Sequence, residues 1–219
     1  MPQGRRYGGA DAEERRMRRR ADLVAAGLDL FGTDGYPAVS VKRVCDHAGL
    51  TQRYFYESFG DRAALLAAVY ADCVAVARAA TVAAATEWVG GREVAGISSD
   101  DASAVARATL GTFVQVLVDD PRRARVMLVE VVGVNEELEQ IRLAAIHDWA
   151  ELILTLALGE RPPDRRQRLT AIGLVGAVTQ LLVDWYTTTT ADTADLFDPD
   201  AIVDVSVELF VAAYGRLLS

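Results

Sequence analysis

The chain has 219 residues, 51% of them apolar, 25% charged and 7% aromatic. It therefore has enough material for one large domain or two small ones with a buried core, and its composition is neither disordered nor fibrous. Two cysteines and two histidines are too few for a disulfide framework or a zinc site. Its longest uncharged apolar stretch, 169–183, falls short of the roughly 20 residues that span a bilayer. No apolar run follows the N-terminal arginines as a secretory leader requires, so a reducing cytoplasm is the expected compartment.

Net charge is −8, but it is unevenly placed. Residues 1–62 carry 11 basic and 9 acidic side chains; residues 63–219 carry 12 and 22. Such a division suggests a module that approaches a polyanion, attached to an acidic body.

In chain order the apolar spacing is helical almost throughout, with Gly, Pro and Asp as punctuation. Residues 1–12 read as a flexible arm. Asp11 and Glu14 have the spacing of a capping box, predicting a first helix whose Leu23, Ala26, Gly27, Leu30 and Phe31 share one face. Ser40 is placed to cap a short second helix that Gly49 ends, Thr51 a third, and Asp61 a long fourth. Glycines at 90, 91 and 96 mark a loop. Further helices are expected over about 103–118, from Asp120-Pro121 to about 132, over 135–158, from Asp164 to about 186, and over 199–218. That makes about nine helices, an all-α chain.

Residues 39–62, VSVKRVCDHAGLTQRYFYESFGDR, carry the most information. Two short helices meet at a tight turn, with Val44, Leu50, Phe55 and Phe59 as a shared apolar seam. This is the spacing of a helix-turn-helix, whose second helix enters the major groove. Thr51, Gln52, Arg53 and Tyr54 occupy the first turn of that helix; arginine pairs with guanine and glutamine with adenine. Tyr54 and Tyr56 can reach phosphates or thymine methyls, and Ser40, Lys42 and Arg62 are placed for the DNA backbone.

These landmarks, Arg20 and Leu23, Leu30-Phe31, Gly35-Tyr36, Ser40-Val41, Ala48-Gly49-Leu50-Thr51, Phe55-Tyr56, Phe59, Arg62 and Leu65-Leu66, resemble the N-terminal domain of TetR/AcrR-type transcriptional regulators over residues 13–77. The resemblance implies an all-helical homodimer whose larger C-terminal part, residues 78–219, binds ligand and dimerises. It implies a repressor that leaves a palindromic double-stranded operator when a small-molecule effector binds. By position it places DNA contacts at Lys42, Gln52, Arg53, Tyr54, Tyr56 and Arg62. The sequence departs from the family's usual pattern at Tyr54, commonly a small residue, at Ser58 and at Arg62, commonly lysine.

In the body, stripes on the last two helices (Ile172, Val175, Val178, Thr179 and Leu182; Ile202, Val205, Leu209, Ala212 and Ala213) suggest a four-helix dimer interface. Phe113, Met127, Trp149 and Trp185 are candidate walls of an apolar ligand site, among apolar residues that include Val116, Val131 and Ile153. Cys45, Asp46 and His47 are consecutive on one helix and point apart, so they cannot form a catalytic relay. No phosphate loop, metal motif or nucleophile elbow occurs, so no enzyme activity, cofactor, metal or membrane partner is expected. The alternatives are a helix-turn-helix protein without a small-molecule effector and a small helical enzyme using the body.

Overall fold

The computed structural model describes residues 7–90, 99–188 and 198–217, and every regular element among them is helical. The elements are α1 (Tyr7–Asp34), α2 (Val41–Ala48), α3 (Gln52–Ser58), α4 (Arg62–Val89), α5 (Ser99–Asp119), α6 (Pro121–Arg125), α7 (Glu136–Leu158), α8 (Arg165–Thr187) and α9 (Pro199–Leu217). A 3₁₀ turn at Tyr36–Ala38 follows α1, and a π-helical turn at Val126–Glu130 continues α6. The expected loop glycines Gly91 and Gly96 lie outside the described residues, as does most of the polar linker before α9.

Local chemistry sets most boundaries. Ser40 caps α2 by accepting from Arg43 N, Asp61 caps α4 by accepting from Ala64 N, and Asn135 caps α7 by accepting from Leu138 N. Asp164 and Gln167 form a reciprocal capping box on α8. The first helix differs from expectation. It begins at Tyr7, so Asp11 lies inside it and not at its start, and residues 7–12 are helical. The alanines and arginines around the acidic residues are good helix formers and carry the helix past the polar pair.

Three apolar clusters organise the molecule. The first joins α1 to α4 through Leu23, Phe31, Val44, Phe55 and Leu66, and it also takes in Val126 and Val131 from the π-turn segment and Leu138 from α7. The second packs Leu117 of α5, Leu128, Leu182 of α8 and Ile202 of α9. The third packs Leu154 of α7 on Ala171 of α8. The helix α4 belongs to both ends of the molecule, packing on α1 near its start and against α5 further along. Taken whole, Arg62–Trp88 and Arg165–Thr187 are long and apolar enough to cross a membrane, which the shorter uncharged window in the sequence did not show. Both also carry buried residues of these clusters, such as Leu66, Val69, Val178 and Leu182.

Candidate functional site

The N-terminal end of the molecule presents α3. Phe55 is fully buried at its centre, tilted against Phe59 at 5.8 Å, and it fixes which face looks inward. Thr51, Gln52, Arg53 and Tyr56 are consequently exposed, with Arg53 84% exposed along its side chain. The bend before α3 depends on Gly49, whose φ of 66° lies in the left-handed region that glycine enters without steric cost. Thr51 holds the N-cap position, although its side chain accepts no capping bond.

The polar groups here are held lightly. Arg53 Nε donates to Glu57 Oε1 at 3.0 Å one turn on. Lys42 Nζ donates to Asp46 Oδ2 at 2.6 Å, and this bond raises the lysine's pKa. Exposed pairs of this kind contribute little and exchange readily for another anion.

The structure separates the expected contact residues into two groups. Gln52, Arg53 and Tyr56 share the open face of α3, with Lys42 on α2 also exposed. Ser40 is exposed, but its hydroxyl caps α2. Arg62 is half-buried: its guanidinium donates to the carbonyls of Tyr36 and Val39 and stacks 4.6 Å over the Tyr36 ring, fastening α4 to the turn before α2. Tyr54 is half-buried, and Arg19 of α1 lies 4.4 Å over its ring.

Two residues had no assigned role from the sequence. Arg20 donates to the Ser58 carbonyl at 3.1 Å, closing the C-terminal end of α3, and lies 4.3 Å over the Phe59 ring. With Arg19 on Tyr54, it fixes both ends of α3 to α1. In sequence Arg20 stands out as a landmark of the resemblance without a role, and Arg19 is lost in a basic run. The available signal is register, since Arg16, Arg19 and Arg20 continue the inward face of Leu23 and Ala26 towards the helix start.

At the other end, α4, α5, α7, α8 and α9 with the π turn line a partly open cavity of about 300 Å³. Phe113, Met127 and Trp149 line it, with Phe113 and Trp149 edge to face at 5.0 Å. Trp185 does not. On α8 the lining residues are Val175, Val178–Gln180 and Leu182–Val183, and Trp185 is not among them; it lies edge-on to Tyr186 at 6.1 Å. Of the other apolar residues singled out, Ile153 lines the cavity, Val131 belongs to the N-terminal core, and Val116 is not among the lining residues.

Residues 23–69 match the model of the bacterial regulatory proteins of the tetR family. That N-terminal segment is of the tetR type. The chain is similar in fold to a tetR-family transcriptional regulator from Syntrophomonas wolfei (TM-score 0.66, 13% identity, 90% of this chain and 95% of that one). It is similarly close to the fatty acid degradation regulator FadR from Bacillus halodurans (0.65, 15%, 88% and 94%) and to FadR from Bacillus subtilis, determined in complex with stearoyl-CoA (0.63, 15%, 87% and 97%). No curated protein matches the sequence.

The N-terminal helices, which carry the tetR-type segment, are joined to the rest of the molecule by charged groups around α6. Asp29 of α1 takes His47 Nε2 at 2.9 Å on one oxygen and an Arg122 nitrogen on the other. Arg125 donates to the Thr33 carbonyl and to Glu130 Oε1, while Glu130 Oε2 accepts from Tyr36 N at 2.7 Å. Consecutive residues of the π turn divide between the two ends. Val126 fills the head's core, Met127 and Leu128 line the cavity, and Glu130 holds the Tyr36 turn. Around this junction Cys45 is buried, Asp46 pairs with Lys42 and His47 with Asp29, so the three consecutive residues do point apart. Burial pushes the Cys73 thiol up to about 12, which keeps it protonated and a poor nucleophile. Among the described residues no three metal-binding side chains cluster.

Proposed function

We propose that this protein is a tetR-family regulator, a cytoplasmic repressor that binds a palindromic operator as a homodimer and leaves it when a small molecule enters the body cavity. The carrying observation is the exposed first turn of α3, with Gln52 and Arg53 outward over a fully buried Phe55. In this reading Gln52 and Arg53 read base edges. Thr51, Tyr54, Tyr56, Lys42, Ser40 and Arg62 supply or shape backbone contacts. Residues 13–77 act as the reading head and 78–219 as the sensing and dimerising body.

Two further observations support the assembly and the effector. The exposed stripe on α8 is Leu169, Gly173 and Gly176, and that on α9 is Val205, Leu209 and Ala212. A β-carbon built on Gly173 or Gly176 meets nothing, so this face admits close approach of another helix. Val178, Leu182 and Ile202, first read as dimer contacts, are buried within the chain. The apolar cavity favours an effector-released regulator over one that binds DNA constitutively, and FadR from Bacillus subtilis was determined with stearoyl-CoA bound.

Replacing the Arg53–Glu57 pair by a bidentate base contact exchanges a few tenths of a kcal/mol for about 1–3 kcal/mol. Arg53→Ala is therefore expected to weaken binding to a genomic fragment selected by the wild-type protein by about 1–3 kcal/mol and to relax preference at one base position. Fluorescence anisotropy with base-substituted fragments measures both. Unchanged affinity and preference would remove α3 as the reading element.

A further inference from the structure

The cavity lining is mostly apolar, with Arg142, three threonines, Gln180 and the hydroxyls of Tyr70 and Tyr214 as its polar members. Its ionised side chain is Arg142, and that charge is already matched: Arg142 Nε and Nη2 both donate to Glu139 Oε2, at 3.0 and 2.8 Å. The other oxygen of Glu139 accepts from Gly133 N at 2.8 Å. An ionised ligand drawn inside would lose its water and find no free counter-charge, which is strongly unfavourable.

The lining threonines add a second restriction. Thr81 donates its hydroxyl proton to the Ala77 carbonyl at 2.9 Å, Thr109 to Val105 at 2.8 Å, and Thr179 to Val175 at 2.7 Å. Each proton is committed to the residue's own helix. Each oxygen retains only accepting capacity towards the cavity. A ligand group meeting these oxygens must be a donor.

Size follows from volume. A cavity of about 150 Å³ accepts benzene, so one of 300 Å³ takes about twice that bulk.

We propose that the cavity selects an uncharged, largely apolar molecule bearing one hydroxyl-like donor, with the bulk of two aromatic rings or of a saturated chain of about ten carbons. The proposal rests on reading this cavity as the effector site. The threonine oxygens receive the ligand's proton, the Phe113–Trp149 corner packs its apolar body, and the Arg142–Glu139 pair stays intact.

The test is calorimetric titration of the full-length protein at pH 8 with 1-decanol, its isomer methyl nonyl ether, decanoate and protonated decylamine. The expected order places decanol at least tenfold tighter than either ion and about fivefold tighter than the ether. Thr109→Val keeps the side-chain shape and removes one acceptor. It is expected to weaken decanol severalfold and leave the ether unchanged. Ala106→Phe fills the cavity and is expected to abolish decanol binding, with its thermal unfolding recorded to confirm a folded protein. Decanoate or decylamine binding as tightly as decanol, no binding by any of the four, or full decanol affinity in both variants overturns the proposal. An ether as tight as the alcohol overturns its donor requirement. Operator release is measured on the same samples. Decanol that binds without releasing DNA sinks the effector reading and leaves the ligand class standing. Release by decanoate but not decanol sinks the class and leaves the effector reading standing.

Discussion

Gly32 lies within α1, where alanine would ordinarily stabilise the helix by about 1 kcal/mol. Here the sign reverses. A β-carbon at this position would lie 2.4 Å from Arg122 Cβ and 2.8 Å from Arg122 Cα, and the backbone of α6 cannot swing aside as a flexible side chain would. Gly32→Ala is expected to destabilise the protein by about 1–3 kcal/mol, read as a lower urea midpoint at unchanged slope. Contacts of this kind mark what single residues do not disclose. Gly49, Phe55 and the caps at Ser40 and Asp61 were legible because a turn or a cap is decided within four residues. Arg62 read as a phosphate ligand because its charge and position are local facts, whereas the carbonyls it holds lie 23 and 26 residues earlier. The roles of Arg19 and Arg20 were obscured for the same reason.

At the level of elements, α6 and its π turn carry the densest charged network of the junction. Asp120 caps α6 and bonds the Arg122 guanidinium through both oxygens. These side-chain bonds hold its carboxyl below the usual range. A lowered folded-state pKa gives stability that is present above the unfolded value, about 3.9, and is lost as pH falls through the folded one. Asparagine caps as well as aspartate, so Asp120→Asn isolates the charge. The variant is expected to lose about 1 kcal/mol at pH 7, and the difference should shrink towards zero below pH 3 in chemical denaturation. A difference independent of pH would show that the guanidinium contact adds nothing beyond the cap. The sequence announced the Asp120-Pro121 start of this helix but not its π turn, because the widened turn answers to two cores at once. Val126 and Val131 serve one, and Leu128 the other. Several residues of the expected stripes on the last two helices are buried within the chain. Helical spacing says which residues align, not which of two apolar sides turns inward. Val178 and Leu182 point in, while Leu169, Gly173 and Gly176 point out.

For the whole molecule, the open question is the covered state of the outer α8–α9 face. Val205 is 48% exposed and Leu209 41% exposed on the isolated chain, an apolar strip of the kind that marks contact surfaces. Leu209→Glu is expected to convert a two-chain species to a single chain in sedimentation equilibrium and to weaken operator binding more than about tenfold, since two half-sites are then no longer read together. A single-chain wild type at micromolar concentration would remove the interface. The shared packing around Val126 and Val131 also bears on how this regulator can be cut and rejoined. A fragment ending where the resemblance ends, at residue 77, would leave its own interior partly uncovered. A hybrid that grafts the N-terminal helices onto a foreign body should therefore import residues 120–138 with them, because the two cores meet in that segment and not in the chain beside it.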